Sequence, residues 1–88
     1  MSMGATSALH LRAAVEHAER VVAIEALCAA QGIDFLTEPV ALLVAAAHDA
    51  IRAAVPHLDE DRPPAPDIDQ VLDLVHSGEL LNAGELAA

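Results

Sequence analysis

The stretch Val21-Val22-Ala23-Ile24-Glu25-Ala26-Leu27-Cys28-Ala29-Ala30 decides the fold of this chain. As a helix it would be apolar on every side except at Glu25, and such a helix has to be buried all round. A chain of 88 residues buries only about 60 to 65% of its unfolded surface, so it rarely surrounds one of its own helices. The sequence therefore predicts an associating helical module whose missing cover comes from another polypeptide.

Length and composition indicate one small helical unit. Apolar residues are 55% of the chain but aromatic residues only 1%, so the apolar bulk comes from Ala, Leu and Val. Such surfaces let helices approach closely while burying little area each, which makes independent folding marginal. The length has room for three or four helices in one domain or in a piece of a larger one, and it excludes a two-domain enzyme.

Charge and cysteine content bear on partners and compartment. The formal net charge is −10, with four arginines and no lysine, which argues against nucleic acid and anionic membrane surfaces as partners. The longest apolar run, residues 40–47, is far shorter than the roughly 20 residues of a membrane-spanning helix. Cys28 is the sole cysteine, and its apolar surroundings indicate a buried small side chain rather than a nucleophile. We expect a cytoplasmic protein.

Hydrophobic spacing predicts an all-α fold that begins with two long helices. The first covers about residues 6–31 and stops at Gly32, which suits the position after a helix end. The second, antiparallel to the first, covers about residues 38–55, with Thr37 as its N-cap. Both present wide apolar faces, which favours a place in a larger helical bundle.

The remaining third of the chain is predicted to hold a connector and one short helix. Residues 56–66 are proline-rich, which favours an extended course. Asp67 is the expected N-cap of a helix over about residues 67–77, with Gly78 as its stop. Residues 78–88 are interpreted as a tail too short to hold itself, for which a terminal turn capped by Asn82 and fraying both stay open.

The five histidines invite a metal interpretation that their spacing does not favour. His10 and His17 are seven residues apart, whereas helical ligands of one metal ion stand three or four apart with others converging. We therefore expect solvated or interface histidines, and we interpret His48 and His76 as surface residues. Glu25 has no titratable neighbour in sequence, so we expect a paired interface carboxylate rather than an acid or base.

Other chemical motifs are absent from the sequence. Asp59-Glu60-Asp61 lacks the twelve-residue loop of a calcium site, so we expect a solvated or arginine-paired loop there. A glycine-rich phosphate loop, a nucleophile elbow and Cys-x-x-Cys are missing. We assign no catalytic, cofactor-binding or metal-binding residue to this chain.

Three stretches together resemble the C-terminal end of the histidine ammonia-lyase family and its aromatic amino acid lyase relatives. They are Ser2-Met3-Gly4, Arg20-Val21-Val22-Ala23-Ile24-Glu25-Ala26-Leu27-Cys28-Ala29-Ala30-Gln31-Gly32-Ile33-Asp34-Phe35 and Asp59-Glu60-Asp61-Arg62-Pro63-Pro64-Ala65-Pro66-Asp67-Ile68. The most specific parts are the Ala-Ile-Glu helix ending in Gln-Gly-Ile-Asp-Phe and the Asp-Arg followed by Ala-Pro-Asp-Ile. The resemblance covers almost the whole chain.

The resemblance implies a part of an enzyme rather than a whole one. Family members are mostly helical homotetramers that remove ammonia from an amino acid, giving urocanate from histidine. Their methylidene-imidazolone group forms from an internal Ala-Ser-Gly, and this chain contains neither that tripeptide nor any tyrosine for the family's base. The family's Glu-Asp-His motif would sit immediately before Met1. We therefore expect the C-terminal helical segment of a histidine ammonia-lyase-like enzyme, inactive alone.

The expected partners follow from the same resemblance. They are the remainder of the lyase polypeptide or a separately encoded larger subunit, within a homo-oligomer. Arg62 is expected to pair with carboxylates near the connector. The residues expected to pack in the bundle are Val21, Val22, Ile24, Leu27 and Cys28.

Other interpretations stay open on the sequence alone. The chain could be a free-standing helical module that self-associates without any catalysis, or a small acidic metal-binding protein. Met1 stands where the family usually has valine, which fits either a separately encoded subunit, or a gene remnant or mis-called start with no independent role. The parent's substrate could be histidine, phenylalanine or tyrosine, because the family's substrate-reading residues lie outside this segment.

Overall fold

The computed structural model describes residues 3–87, and within that range it contains four helices and no strand. The helices are α1 (Met3–Asp34), α2 (Leu42–Ala54), α3 (Ala65–Ser77) and α4 (Glu79–Ala87). The all-α prediction is confirmed. Met1, Ser2 and Ala88 lie outside the described residues, and with them part of the first resembling stretch and the last residue of the expected tail.

The first helix continues past the expected stop. Gly78 is the only described residue with a positive φ, so Gly32 keeps a helical backbone and α1 ends at Asp34. The chain then turns at Phe35, whose N–H donates to the Gly32 carbonyl at 3.2 Å. The extra residues stay helical because the Asp34 side chain is held by groups from later segments, as described below.

The second helix begins at Leu42 rather than near residue 38, which corrects its expected start. Its N-cap is Ala41, without a side-chain capping bond, so Thr37 does not cap it. Pro39 gives a physical reason, because the residue before a proline is pushed away from helical backbone angles. At the other end, Val55 is extended and Pro56 follows, which ends the helix.

The third helix begins two residues before the expected start. Pro64 is its N-cap and Pro66 lies in the first turn, where a proline's fixed φ is compatible with the helix. Asp67, the expected N-cap, is therefore inside the first turn. Gly78 ends α3 in the left-handed conformation, with φ of 80°, as a glycine can without steric cost.

The expected tail forms a fourth helix, α4, which corrects that interpretation. Ser77 Oγ accepts the Glu79 N–H at 3.3 Å, and the Asn82 N–H donates to the Gly78 carbonyl at 2.9 Å. Leu80 packs against the buried core. The helix therefore gains at its start both a hydrogen-bonded cap and a tertiary contact, which the sequence pattern did not reveal.

The core is small and joins three helices. α1 packs mainly against α3, and α2 mainly against α4, whereas α1 and α2 touch less. No polar side chain among the described residues is buried. The buried core residues are Ala23, Ala30, Ile51, Val55, Val71 and Leu74.

The shape is extended for so short a chain. The radius of gyration is 15.7 Å, against about 12 Å for a compact domain of this length. The accessible surface is 6227 Å², against about 4,900 Å² for a compact monomer of this mass. Every residue from 7 to 18 on α1 is exposed. This chain therefore leaves uncovered much surface that a self-sufficient domain would bury.

No helix within residues 3–87 has both the length and the apolar character needed to cross a membrane.

Candidate functional site

A polar cluster joins the end of α1 to α2 and to the connector that follows α2. We call it the Asp34 cluster, and it consists of Gln31, Asp34, His48, Arg52 and His57. The cluster is not predictable from local sequence, because its members come from three separate segments. It contains two residues of the Gln-Gly-Ile-Asp-Phe motif, which is the most specific part of the family resemblance.

The centre of the cluster is the carboxylate of Asp34, whose side chain is only 14% exposed. Oδ1 accepts a hydrogen bond from His48 Nε2 at 2.5 Å. Oδ2 accepts from Arg52 Nε at 3.0 Å and from His57 Nδ1. One carboxylate thus fastens α2 and the connector to the end of α1.

Helical spacing explains how the cluster forms. Gln31 and Asp34 are three residues apart on α1, and His48 and Arg52 are four apart on α2, so each pair shares one helix face. His57 follows Pro56, which ends α2 and returns the chain toward α1. This pairing of spacings is the signal from which the cluster could have been predicted.

The side-chain amide of Gln31 serves as the hydrogen-bonding partner of the Leu58 backbone in the connector. Its Oε1 accepts from the Leu58 N–H at 3.2 Å and from Arg52 Nη2 at 3.1 Å. Its Nε2 donates to the Leu58 carbonyl at 3.2 Å. The side-chain amide therefore satisfies both polar backbone groups of one residue, as a neighbouring strand would.

The surroundings favour the ionised form of Asp34. The hydrogen bond from His57 contributes most to lowering the pKa of Asp34, followed by the one from Arg52. The His48 bond and the positive charge of Arg52 lower it further, and partial burial opposes them. The pKa of Asp34 lies well below its ordinary value of 3.8, so the carboxylate is a permanent acceptor at neutral pH.

The connector is held by a second set of contacts around Arg62. Its Nε donates to Asp67 Oδ2 at 2.8 Å, which fixes the connector to the first turn of α3. Its Nη2 donates to the Pro56 carbonyl at 2.7 Å, and Nη1 to the His57 carbonyl at 3.4 Å. The guanidinium thus clamps both ends of the connector, and Asp67 is the carboxylate that it meets.

The ring of His57 has a further neighbour. Phe35, the only aromatic residue of the chain, meets it edge-on with ring centroids 5.7 Å apart. Gln31 Nε2 lies 3.5 Å from His57 Nε2. The position of the ring is therefore fixed on three sides.

The structure corrects the interpretation of His48 as a surface residue and confirms that of His76, whose side chain is 55% exposed. His48 lies in the Asp34 cluster with a side chain only 19% exposed. His76 Nδ1 lies 2.9 Å from Glu19 Oε2, which connects α3 to α1. No group of three or more His, Cys, Asp or Glu side chains within residues 3–87 is arranged to hold a metal ion.

The residues expected to pack in a bundle lie mostly on the surface of this chain. Val21, Val22 and Ile24 are exposed, and Leu27 packs at the edge of the core. Cys28, expected to be buried, is exposed here. Their packing role concerns other polypeptides and stays a prediction.

Comparison with known proteins connects this geometry to one enzyme family. The family model described as aromatic amino acid lyase matches residues 1–55. The chain is 46% identical to the histidine ammonia-lyase of Symbiobacterium thermophilum over 89 residues, which is 100% of this chain and 18% of that protein. No solved structure matches the chain.

Two further relatives agree. The histidine ammonia-lyase of Gloeobacter violaceus is 43% identical over 99% of this chain and 17% of its own length. That of Anaeromyxobacter sp. is 48% identical over 91% of this chain and 16% of its own length. The chain thus spans about one sixth of the length of these relatives and corresponds to a segment of them. It belongs to the aromatic amino acid lyase family.

Proposed function

We propose that this chain is the C-terminal helical part of a histidine ammonia-lyase-like enzyme and contributes bundle packing and oligomerisation. The complete assembly would convert L-histidine to urocanate and ammonia without oxidation, and the chain alone would be inactive. One observation carries the proposal: a chain that matches histidine ammonia-lyases over its full length leaves a long, partly apolar helix without cover. Between residues 7 and 18, all of α1 is exposed.

The Asp34 cluster supports a scaffold role. Its polar groups bond to one another and hold α1, α2 and the connector in one arrangement. Such a fixed corner presents the apolar faces of α1 and α2 to a partner at a set angle, which reduces the ordering cost of assembly. The role proposed for Val21, Val22 and Ile24 follows from their exposure on this held helix.

The family's prosthetic group does not fit this chain. The sequence has no Ala-Ser-Gly and no tyrosine. Ser77-Gly78, the only Ser-Gly in the sequence, lies at the end of α3 just before α4. A methylidene-imidazolone group would therefore belong to the remainder of the enzyme, and no catalytic step is assigned to residues of this chain.

A chimaera tests the proposal directly. The 89 aligned residues of the Symbiobacterium thermophilum enzyme are replaced by this chain, and ammonia release from histidine is measured together with the oligomeric mass. We expect an assembled, active chimaera, whereas the same enzyme without the segment should neither assemble nor release ammonia. A chimaera that fails to assemble, beside a parent enzyme that assembles normally, would contradict the proposal. The alternative of an autonomous module predicts a stable oligomer of the isolated chain and no rescue.

A further inference from the structure

Three of the five histidines bind a carboxylate of α1 from another segment of the chain. His48 on α2 and His57 in the connector both bond to Asp34, as described above. His76 on α3 meets a second acceptor, Glu19, with its Nδ1 2.9 Å from Oε2. An imidazole therefore attaches each of these segments, α2, the connector and α3, to the long first helix.

The two acceptors on α1 differ in the cation that accompanies them. Asp34 has a permanent one, the guanidinium of Arg52, whose Nη2 lies 2.7 Å from Oδ2. Glu19 has none: among the residues that the structure describes, only His76 brings a basic nitrogen within 4.0 Å of its carboxylate. A contact partner therefore balances the charge of Glu19 only when the imidazole of His76 carries a second proton.

The position of His76 suits a positive charge. It lies in the last turn of α3, where the helix dipole favours a cation. Its side chain is 55% exposed, so the added charge keeps much of its hydration. The Glu19 side chain is only 24% exposed, so water screens the pair less than it screens two fully exposed groups. With the proton added, the hydrogen bond between the two side chains becomes charge-assisted.

The other charged groups near this contact do not oppose a cation. α3 packs against α1, α2 and α4. On α3 itself, Asp73 stands three residues before His76 on the same helix face. All four arginines of the chain pair with carboxylates, and Arg20, next to Glu19, pairs with Asp69 at 3.4 Å. The remaining titratable side chains on the three packed helices are His10, Arg12, Glu16, His17, Glu25, Cys28 and Asp34 on α1, His48, Asp49 and Arg52 on α2, and Glu79 and Glu85 on α4.

We propose that the contact between His76 and Glu19 is a pH-sensitive latch, which strengthens the packing of α3 on α1 when His76 takes up a proton. An imidazole ordinarily does so at about pH 6.5. The folded chain offers the imidazolium a carboxylate partner that the unfolded chain lacks, so the latch adds stability as the pH falls from about 8 to 5. Because α3 is the main packing partner of α1, the latch controls how firmly the long helix is held. This property belongs to the chain by itself and does not rest on the proposed function.

Urea unfolding of the chain at pH 5.5 and at pH 8 tests the latch with two substitutions. His76→Asn keeps an N–H donor near the position of Nδ1 but cannot take up a proton, and Glu19→Gln keeps the shape of the acceptor without its charge. Relative to the parent, we expect either substitution to raise the equilibrium constant for unfolding about fivefold at pH 5.5 and about twofold at most at pH 8. The double variant should lose no more at pH 5.5 than either single one.

His10→Asn is the matched control. His10 is exposed on α1, and no charged residue stands three or four positions from it, so this substitution should leave the equilibrium constant unchanged at both pH values. Equal losses at pH 5.5 and pH 8, or additive losses in the double variant, would overturn the proposal. A parent chain without a cooperative transition at pH 5.5 would overturn it as well, because α3 would then not pack on α1. If His76→Asn does not fold, the comparison between Glu19→Gln and the parent still decides.

Discussion

Arg52 Nη2 lies 2.7 Å from Asp34 Oδ2, with both side chains largely withdrawn from solvent at 16% and 14% exposure. The pair joins α2 to the last residue of α1. Arg52 also donates to the Val55 carbonyl at 3.0 Å, near the end of its own helix. A cation in the last turn of a helix is favourable there, so this arginine stabilises the end of α2 and the corner between the helices at once.

Acid should weaken the fold through Asp34. The pKa of Asp34 in the folded chain lies below its ordinary value of 3.8. The stability that the ionised Asp34 contributes is therefore complete well above pH 3.8, and it is lost as the pH falls from 3.8 toward the folded-state pKa. We expect Asp34→Asn to be less stable than the parent at pH 7, with a melting temperature roughly 5 °C lower. The difference should shrink below about pH 4.

Urea unfolding between pH 7 and pH 3 measures this difference. Asp73→Asn is the control, since Asp73 is exposed on α3, away from the Asp34 cluster. A gap between parent and Asp34→Asn that stayed constant down to pH 3 would show that the depressed pKa does not stabilise the fold.

Gln31→Ala should release the connector. The Leu58 N–H would lose its acceptor, Gln31 Oε1, now 3.2 Å away, so we expect its hydrogen exchange to become about tenfold faster. The Ala45 amide, which donates to the Ala41 carbonyl within α2, serves as the internal control. Exchange followed by NMR tests this, and unchanged protection at Leu58 would argue that the connector is held without Gln31.

Arg62→Lys should destabilise the chain although the charge is kept. A lysine cannot reach Asp67 and the Pro56 carbonyl with the fork that Arg62 uses, so we expect a loss of about 1 kcal/mol in the free energy of unfolding. Arg12→Lys is the matched control, because Arg12 is 79% exposed in its pair with Glu16 and should change stability little. Equal effects of the two substitutions in chemical denaturation would rule out the clamp.

Ile24→Asp should separate folding from assembly. Ile24 is 39% exposed in this chain, so the isolated chain should keep its helical circular dichroism. In the assembled chimaera a buried unpaired charge would cost several kcal/mol, and we expect the oligomeric mass to fall in light scattering. Thr37→Asp, on an exposed loop, should leave the mass unchanged. An intact oligomer carrying Ile24→Asp would refute the packing role of this face.

The existence of the helices could be predicted from sequence more readily than their ends. Apolar spacing is a property of each segment, so α1, α2 and α3 were foreseeable. Their boundaries depend on distant contacts: Asp34 stays helical beyond Gly32 because residues of α2 and the connector hold it. α4 was missed for the same reason, since Leu80 gains its contact with the core only after folding.

The Asp34 cluster could not be predicted from local sequence either, because its members are far apart in the chain. His48 looked like a solvated residue beside Asp49, because its partner is fourteen positions away in sequence. The family resemblance identified the Gln-Gly-Ile-Asp-Phe motif as specific but gave no physical reason for it. The structure gives a reason for two of its residues, because Gln31 bonds to the connector and Asp34 bonds to α2.

The exposed half of α1 has a consequence for the energetics of association. A helix that gains little from tertiary packing depends on intrinsic propensity, which is weak for a stretch as short as residues 7–18. In the proposed assembly, part of the free energy of docking would offset the cost of ordering that stretch. We therefore expect its folding and its proposed docking to be one coupled event, with a negative heat-capacity change as the calorimetric sign.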